Sequence, residues 1–334
     1  MRTIRGAAVA VVLALVAGGC GSGGSGGSPG PTPPPPAPAA TTPPPAPSYA
    51  TYPVGLRVLH LHRGRSRPLP TLVFYPAVGR PLAPAAYRGD GSKLPRWVVK
   101  EGEPRGIGGR TWTARPPASG RFPLVLFSHG LSGSAERYVD ALATWAAAGF
   151  VVAAPTFPYT SEFTGRHRFR RSDIRNQPAD VRYVLGRMRR LTRTPGDPLW
   201  RRIDTDRMAA VGHSAGGYTT TGLFTAGHDP RLRAGVIMAG WAAPGAFAGP
   251  PATMLFLQGK ADPIVPVARS VALWSRVPWP KSYVLMRRDS HATYLRPGDI
   301  GYRLMNNLVV DFLRWTLDGD EAADRRLPPT VYPR

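Results

Sequence analysis

Gly212-His213-Ser214-Ala215-Gly216 has the G-x-S-x-G form of a nucleophile elbow, in which a serine hydroxyl is presented for attack on an acyl carbon. The stretch Arg207 to Val211 before it reads as a short buried strand, and Gly217 to Leu223 after it opens a helix. Strand, tight turn and helix is the context that such an elbow requires. The serine is held in a strained conformation there, and any side chain at 212 or 216 would crowd the adjoining strand and helix.

A serine hydroxyl needs a base within hydrogen-bond reach and a third group to orient that base. In strand-elbow-helix enzymes the acid and the base follow the serine in the chain. Of the seven histidines only His228 and His291 do so. His228 falls at the far end of the helix after the serine, which carries it to the opposite edge of the sheet. His291 follows the strand-like Lys281 to Met286 and is the expected base. Between serine and base there is no glutamate, and the aspartates are Asp229, Asp262 and Asp289. Asp229 shares the wrong edge with His228, and Asp289 is too close to His291 in sequence to reach the far ring nitrogen. Asp262, in a turn after the apolar run Thr253 to Leu257, is the expected acid.

The developing oxyanion needs N–H donors. One is the backbone N–H of Ala215, directly after the serine. Phe122-Pro123-Leu124-Val125-Leu126-Phe127 is a strand-length apolar run followed by Ser128-His129-Gly130-Leu131-Ser132-Gly133, whose glycines allow N–H groups to turn inward. Leu131 is the expected second donor, with His129 holding the loop by a hydrogen bond.

The elements that must position these groups alternate along the chain. Strands are predicted at Gly55 to Leu61 and Thr71 to Tyr75, then ending at Phe127, Pro155, Gly212, Gly240, Leu257 and Met286. Helices are predicted at Glu136 to Ala148, Gln177 to Arg190 and Tyr302 to Leu317. Such alternation points to an α/β fold with a mostly parallel central sheet and helices on both faces. Two stretches break it: Val78 to Arg121, rich in Gly and Pro, and Phe157 to Arg175, a candidate lid or substrate rim.

Ser128-His129-Gly130-Leu131, the helix and strand from Ala141 to Pro155, Gly212 to Gly217, Asp262 and His291 together resemble the α/β-hydrolase superfamily. Within it the chain is most similar to the dienelactone hydrolase and platelet-activating-factor acetylhydrolase-like branch, with bacterial cutinase-type polyester hydrolases nearby. The resemblance runs from about Pro123 to Leu317. It implies the α/β-hydrolase fold, Ser214 as nucleophile, His291 as base, Asp262 as acid, and Leu131 and Ala215 as oxyanion donors. It also places Trp241 like an aromatic that lines the acyl pocket. The chain departs from its relatives in having serine where dienelactone hydrolases use cysteine. It also lacks the aromatic at 131 and the C-terminal disulfide of polyester hydrolases.

The first residues speak of location. Arg2 and Arg5 precede the apolar run Ala7 to Ala17, too short for the roughly 20 residues of a membrane-spanning helix and suited to a signal peptide. Cys20, the only cysteine, sits in Leu15-Val16-Ala17-Gly18-Gly19-Cys20-Gly21, which resembles a bacterial lipobox. The expected organisation is a signal peptide over 1–19, a lipidated Cys20 and Gly/Ser/Pro-rich linker over 20–51, and one catalytic domain over 52–334. A single cysteine excludes an intramolecular disulfide.

The formal net charge is +23. Arg166, Arg168, Arg170, Arg171 and Arg175 cluster in the expected rim, a pattern read first as a solvated charged loop and alternatively as a surface for anionic headgroups or cell-wall polymer. No nucleic-acid motif appears, nor any metal-ligand spacing or cofactor motif, so nucleic acid, metals and cofactors are not expected. The reading is an exported, membrane-tethered serine hydrolase acting on a small or lipid ester, with no obligate protein partner. Its alternatives are a peptidase or acyltransferase on the same residues, or a non-catalytic cell-envelope binding protein on a hydrolase scaffold.

Overall fold

The structure is a computed structural model and describes residues 51–79, 105–107, 110–112, 115–164 and 168–328. The expected signal peptide, Cys20, the linker up to residue 50 and Arg166 lie outside the described residues. In chain order the elements are β1 (Val54–His62), β2 (Pro68–Pro76), β3 (Arg105–Ile107), β4 (Arg110–Trp112), β5 (Phe122–Ser128), α1 (Val139–Ala147), β6 (Val151–Pro155) and α2 (Gln177–Leu191). They continue with β7 (Ile203–His213), α3 (Ala215–Thr221), β8 (Leu232–Met238), β9 (Thr253–Gly259), α4 (Val267–Ser275), β10 (Lys281–Met286), α5 (Tyr302–Leu313) and α6 (Glu321–Arg326).

Eight strands form one sheet in the order β1-β2-β6-β5-β7-β8-β9-β10. The β1–β2 and β2–β6 pairs are antiparallel and all the others are parallel. Parallel strands are buried on both sides and show it in sequence as continuous apolar runs. Alternate residues of each run enter different cores. Val125, Phe127, Ala209, Val211, Leu255 and Leu257 pack with Trp145 of α1 and Phe312 of α5. Leu124, Leu126, Met208, Ala210, Met254 and Phe256 pack on the other side with Val184 of α2 and Leu273 of α4. This two-sided cover of a mostly parallel sheet is what the alternation of elements predicts, and it agrees with the α/β-hydrolase fold that the resemblance implies.

Three helices differ from their sequence reading. The Glu136 to Ala148 helix begins as a 3₁₀ turn, Ala135–Tyr138, and the non-helical backbone at Tyr138 (φ −113°, ψ 9°) aims its ring at the elbow. The helix after the serine ends at Thr221, because the hydroxyls of Thr219 and Thr221 bond back to the carbonyls of Ala215 and Tyr218. The last long helix stops at Leu313 and closes in a π turn over Arg314–Asp318, ended by left-handed Gly319 (φ 72°). Within the stretch Val78 to Arg121, the described residues include the antiparallel β3–β4 pair, which periodicity did not reveal. No helix among the described residues is long and apolar enough to cross a membrane.

Candidate active site

Strand β7 ends at His213 and α3 starts at Ala215, so Ser214 alone makes the turn, with φ 56° and ψ −118°. A non-glycine residue there stores about 1–3 kcal/mol of strain. The close approach behind the turn depends on two glycines. A Cβ at Gly212 would stand 2.1 Å from the Gly216 carbonyl oxygen, and one at Gly216 would stand 1.9 Å from the Ser128 carbonyl oxygen. Ser214 is held by its own N–H on the Met238 carbonyl at 2.8 Å, and 7% of the residue is exposed.

His291 comes to this serine from the loop after β10. Its Nε2 lies 3.0 Å from Ser214 Oγ and its Nδ1 lies 2.8 Å from Asp262 Oδ2. Asp262 is buried at the end of β9. Its Oδ1 accepts from the N–H groups of Ile264 and Val265 at 2.8 and 2.9 Å, and its Oδ2 accepts from Gln258 Nε2 at 3.0 Å. Burial pushes the carboxyl pKa upward, but the Val265 and Ile264 N–H groups and the imidazole outweigh it and hold Asp262 below the usual carboxylate value. A carboxylate, imidazole and hydroxyl bonded in this order can pass the hydroxyl proton to the imidazole while the carboxylate fixes the ring's tautomer.

The other aspartates are engaged elsewhere. Asp289 is buried and accepts from Thr293 Oγ1 at 3.1 Å. Asp229 is ion-paired with Arg189 and Arg231, which hold its carboxyl far below the usual range. His228 faces the carbonyls of Thr225 and Ala248.

Among the described residues the N–H groups of Leu131 and Ala215 have no acceptor. The loop that carries Leu131 is fixed around it. Ser132 N–H donates to the Thr160 carbonyl at 2.7 Å and Gly133 N–H to the Gly130 carbonyl at 3.0 Å. His129 Nε2 accepts from Phe157 N–H at 3.1 Å, so Nδ1 carries the proton and donates to the Gly130 carbonyl at 2.7 Å. Burial keeps that imidazole neutral, with a pKa lowered to about 4. Leu131, Ser214, Tyr218, Trp241, Val265 and His291 line one cavity of about 850 Å³. Trp241 lies beside Tyr218, ring centroids 5.9 Å apart.

Sequence reasoning passed over Tyr138, His213 and Gln258. His213 was in view inside the elbow, but nothing in the one-dimensional pattern assigns its ring a partner. Tyr138 has no motif, and only the fold brings it to the elbow.

A mostly parallel sheet covered on both faces, with a serine on the strand-to-helix turn at its carboxyl edge, defines an α/β-hydrolase. The chain belongs to the PET hydrolase-like family, whose profile matches residues 142–330, more than half of its length. Residues 110–166 also match the profile of platelet-activating factor acetylhydrolase, isoform II. No curated protein matches the chain. Both families are ester hydrolases, and so is this protein.

Proposed function

We propose that the protein is a serine carboxylic-ester hydrolase working through an acyl-enzyme on Ser214. The observation that carries this reading is the hydrogen-bonded line from Ser214 through His291 to Asp262, at the foot of an open cavity. Ser214 Oγ bonds to the ester carbonyl carbon as its proton passes to His291 Nε2. The N–H groups of Leu131 and Ala215 hold the oxyanion. When the intermediate collapses, the bond from carbon to the alcohol oxygen breaks and His291 returns the proton to the leaving alcohol. Water, deprotonated by the same imidazole, then bonds to the acyl carbon, and as the acyl-serine bond breaks the imidazolium returns the proton to Ser214 Oγ. Asp262 stays ionised throughout and stabilises the imidazolium.

Labelling with a fluorophosphonate in the presence of EDTA, followed by peptide mapping, tests this reading directly. Label on Ser214 and loss of ester hydrolysis support it, and label elsewhere with activity intact overturns it. A 4-nitrophenyl ester series of increasing acyl length then reads the depth of the cavity.

The same reading places the enzyme outside the cell, tethered through lipid on Cys20. It rests on the lipobox-like sequence and on the Gly/Ser/Pro-rich stretch that follows. Two or more acyl chains would anchor it stably, where one would hold it marginally. Full-length protein should take up labelled palmitate and partition into detergent, and Cys20→Ala should abolish the labelling. Unlabelled mature protein found only in the medium would make it a plain secreted enzyme.

A further inference from the structure

The cavity in front of Ser214 is walled by cations from two separate elements. Arg171 and Arg175 stand on the 3₁₀ turn Arg171–Asn176, and Arg269 stands on α4. Among the described residues none of these guanidiniums takes part in an ion pair. Among the described residues no Asp or Glu lines the cavity. Elsewhere, by contrast, arginines are matched with acids, as in Arg57–Asp197, Arg207–Asp204, Arg314–Asp320 and Arg326–Asp311.

The one carboxylate that could neutralise the turn is drawn away from the cavity. Asp173 lies between Arg171 and Arg175 in sequence but is buried, with Arg67 Nη1 and Nη2 donating to its two oxygens at 2.8 and 2.9 Å. Arg67 also binds Asp180 of α2 at 2.9 and 2.5 Å, and Arg63 binds the same carboxylate at 2.6 Å. Each acid of this cluster is thus spent on an arginine of the β1–β2 turn. That buried cluster pins the 3₁₀ turn to the sheet and leaves its two remaining charges on the cavity side. The wall between the cations is apolar and aromatic: Ile174, Val265, Ile264, Tyr218 and Trp241. Ile264 is 64% exposed, so this apolar surface reaches out to the mouth.

From this arrangement we infer that the pocket selects esters whose acyl or alcohol part carries an anionic group, a carboxylate or a phosphate diester, with Arg171, Arg175 and Arg269 as specificity-determining residues. The inference rests on Ser214 being the reacting serine. The apolar wall takes a hydrocarbon or aromatic portion, and the guanidiniums take the anion, a carboxylate or phosphate being matched by the planar donor fork of arginine. The anionic group remains in solvent contact, so the preference weakens with salt as the screening length falls from about 10 Å at 0.1 M to about 3 Å at 1 M.

The test compares 4-nitrophenyl hydrogen adipate with 4-nitrophenyl hexanoate, which have the same acyl length and differ by one charge. The kcat/KM ratio should favour the adipate by about tenfold or more at low salt, mainly through KM, and should shrink in 1 M NaCl. Arg171→Gln, Arg175→Gln and Arg269→Gln should each lower the ratio, and together bring it near one. Vesicles of phosphatidylglycerol against phosphatidylcholine, read by fatty-acid release, form a second arm. Preference in the vesicle arm identifies a lipid headgroup as the source of the anion, and preference confined to the adipate identifies a small soluble ester. Binding of the adipate dianion to Ser214→Ala protein, measured by calorimetry, reads the cation wall without turnover. If that binding is seen and is lost in the triple arginine variant, the wall stands even where the serine assignment does not. A ratio of one in both arms, with activity that Ser214→Ala abolishes, overturns the anion assignment and leaves the serine reading intact.

Discussion

The ring of His213 donates from Nε2 to the backbone carbonyl of His291 at 2.8 Å. Because a carbonyl only accepts, Nε2 carries the proton, and Nδ1 is left to accept from the Tyr138 hydroxyl at 3.0 Å. Tyr138 Oη in turn accepts from Gly130 N–H at 3.3 Å. A buried chain of three hydrogen bonds therefore runs from the loop that carries Leu131, behind the elbow, to the loop that carries His291. It ties the proposed oxyanion donor and the proposed base to one frame. Burial, reinforced by the nearby His291 ring, lowers the His213 pKa to about 3, so the chain keeps its direction at neutral pH.

His213→Phe and Tyr138→Phe should lower kcat by up to about 10²-fold with little change in KM, since a small misplacement of the base costs about that much. Steady-state kinetics of the two single variants and the double variant check this. The double variant should lose little more than the worse single one, and His213→Gln, which keeps a donor toward the carbonyl, should recover part of the rate. Multiplying losses would show that the two residues act separately.

Ser214→Ala and His291→Ala should each lower kcat by about 10⁵- to 10⁶-fold, and the pair little further, because the groups act as a unit. Asp262→Asn should cost about 10³- to 10⁴-fold through the wrong tautomer of His291. Asp289→Asn should leave kcat nearly unchanged, since its carboxyl is bonded to Thr293 and not to the imidazole. A large loss at Asp289 with a silent Asp262 would reverse the assignment of the acid.

Stability should fall on acidification with a contribution from each of two buried imidazoles. His129 and His213 have folded-state pKa values lowered to about 4 and about 3, below the 6.5 of the unfolded chain. The unfolded chain thus binds protons that the folded one refuses. The stabilisation is whole above about pH 6.5 and drains as pH falls toward the folded values, at about 1.4 kcal/mol per pH unit for each histidine. Urea unfolding of wild type and His213→Gln between about pH 6 and 4 reads the difference. The variant's slope should be shallower by about 1.4 kcal/mol per unit, and equal slopes would mean that His213 is protonated in the folded protein.

Gly216→Ala should fail to give active, folded protein, because the new methyl would overlap the Ser128 carbonyl oxygen at 1.9 Å and backbone would have to move. Gly64→Ala is the control. Gly64 has positive φ, 72°, and its Cβ would meet nothing within 4 Å. It should cost about 1 kcal/mol of strain and leave kcat unchanged. Thermal unfolding with residual esterase activity separates the two cases.

Much of the fold could be read along the chain, because continuous apolar runs of strand length such as Leu124 to Phe127 and Met254 to Leu257 fit a strand buried on both faces of a covered sheet. Chain order and local pattern likewise singled out Ser214, Asp262 and His291, since few histidines and aspartates follow the elbow. The limits of α3 and α5 were not legible, because hydroxyl back-bonding by Thr219 and Thr221 and the π turn at Arg314 override apolar periodicity. Nor was the relay through Tyr138 and His213, whose members are 75 residues apart. The same holds for the cation wall. In sequence Arg171 and Arg175 belong to a run of arginines with Asp173 between them. Only the packing of Asp173 against Arg67, and the arrival of Arg269 from α4, decides which charges face the cavity. A sequence lists its charges, but their net effect at a site depends on which are neutralised by partners at hydrogen-bond distance, and that is set by tertiary contacts between segments remote in the chain.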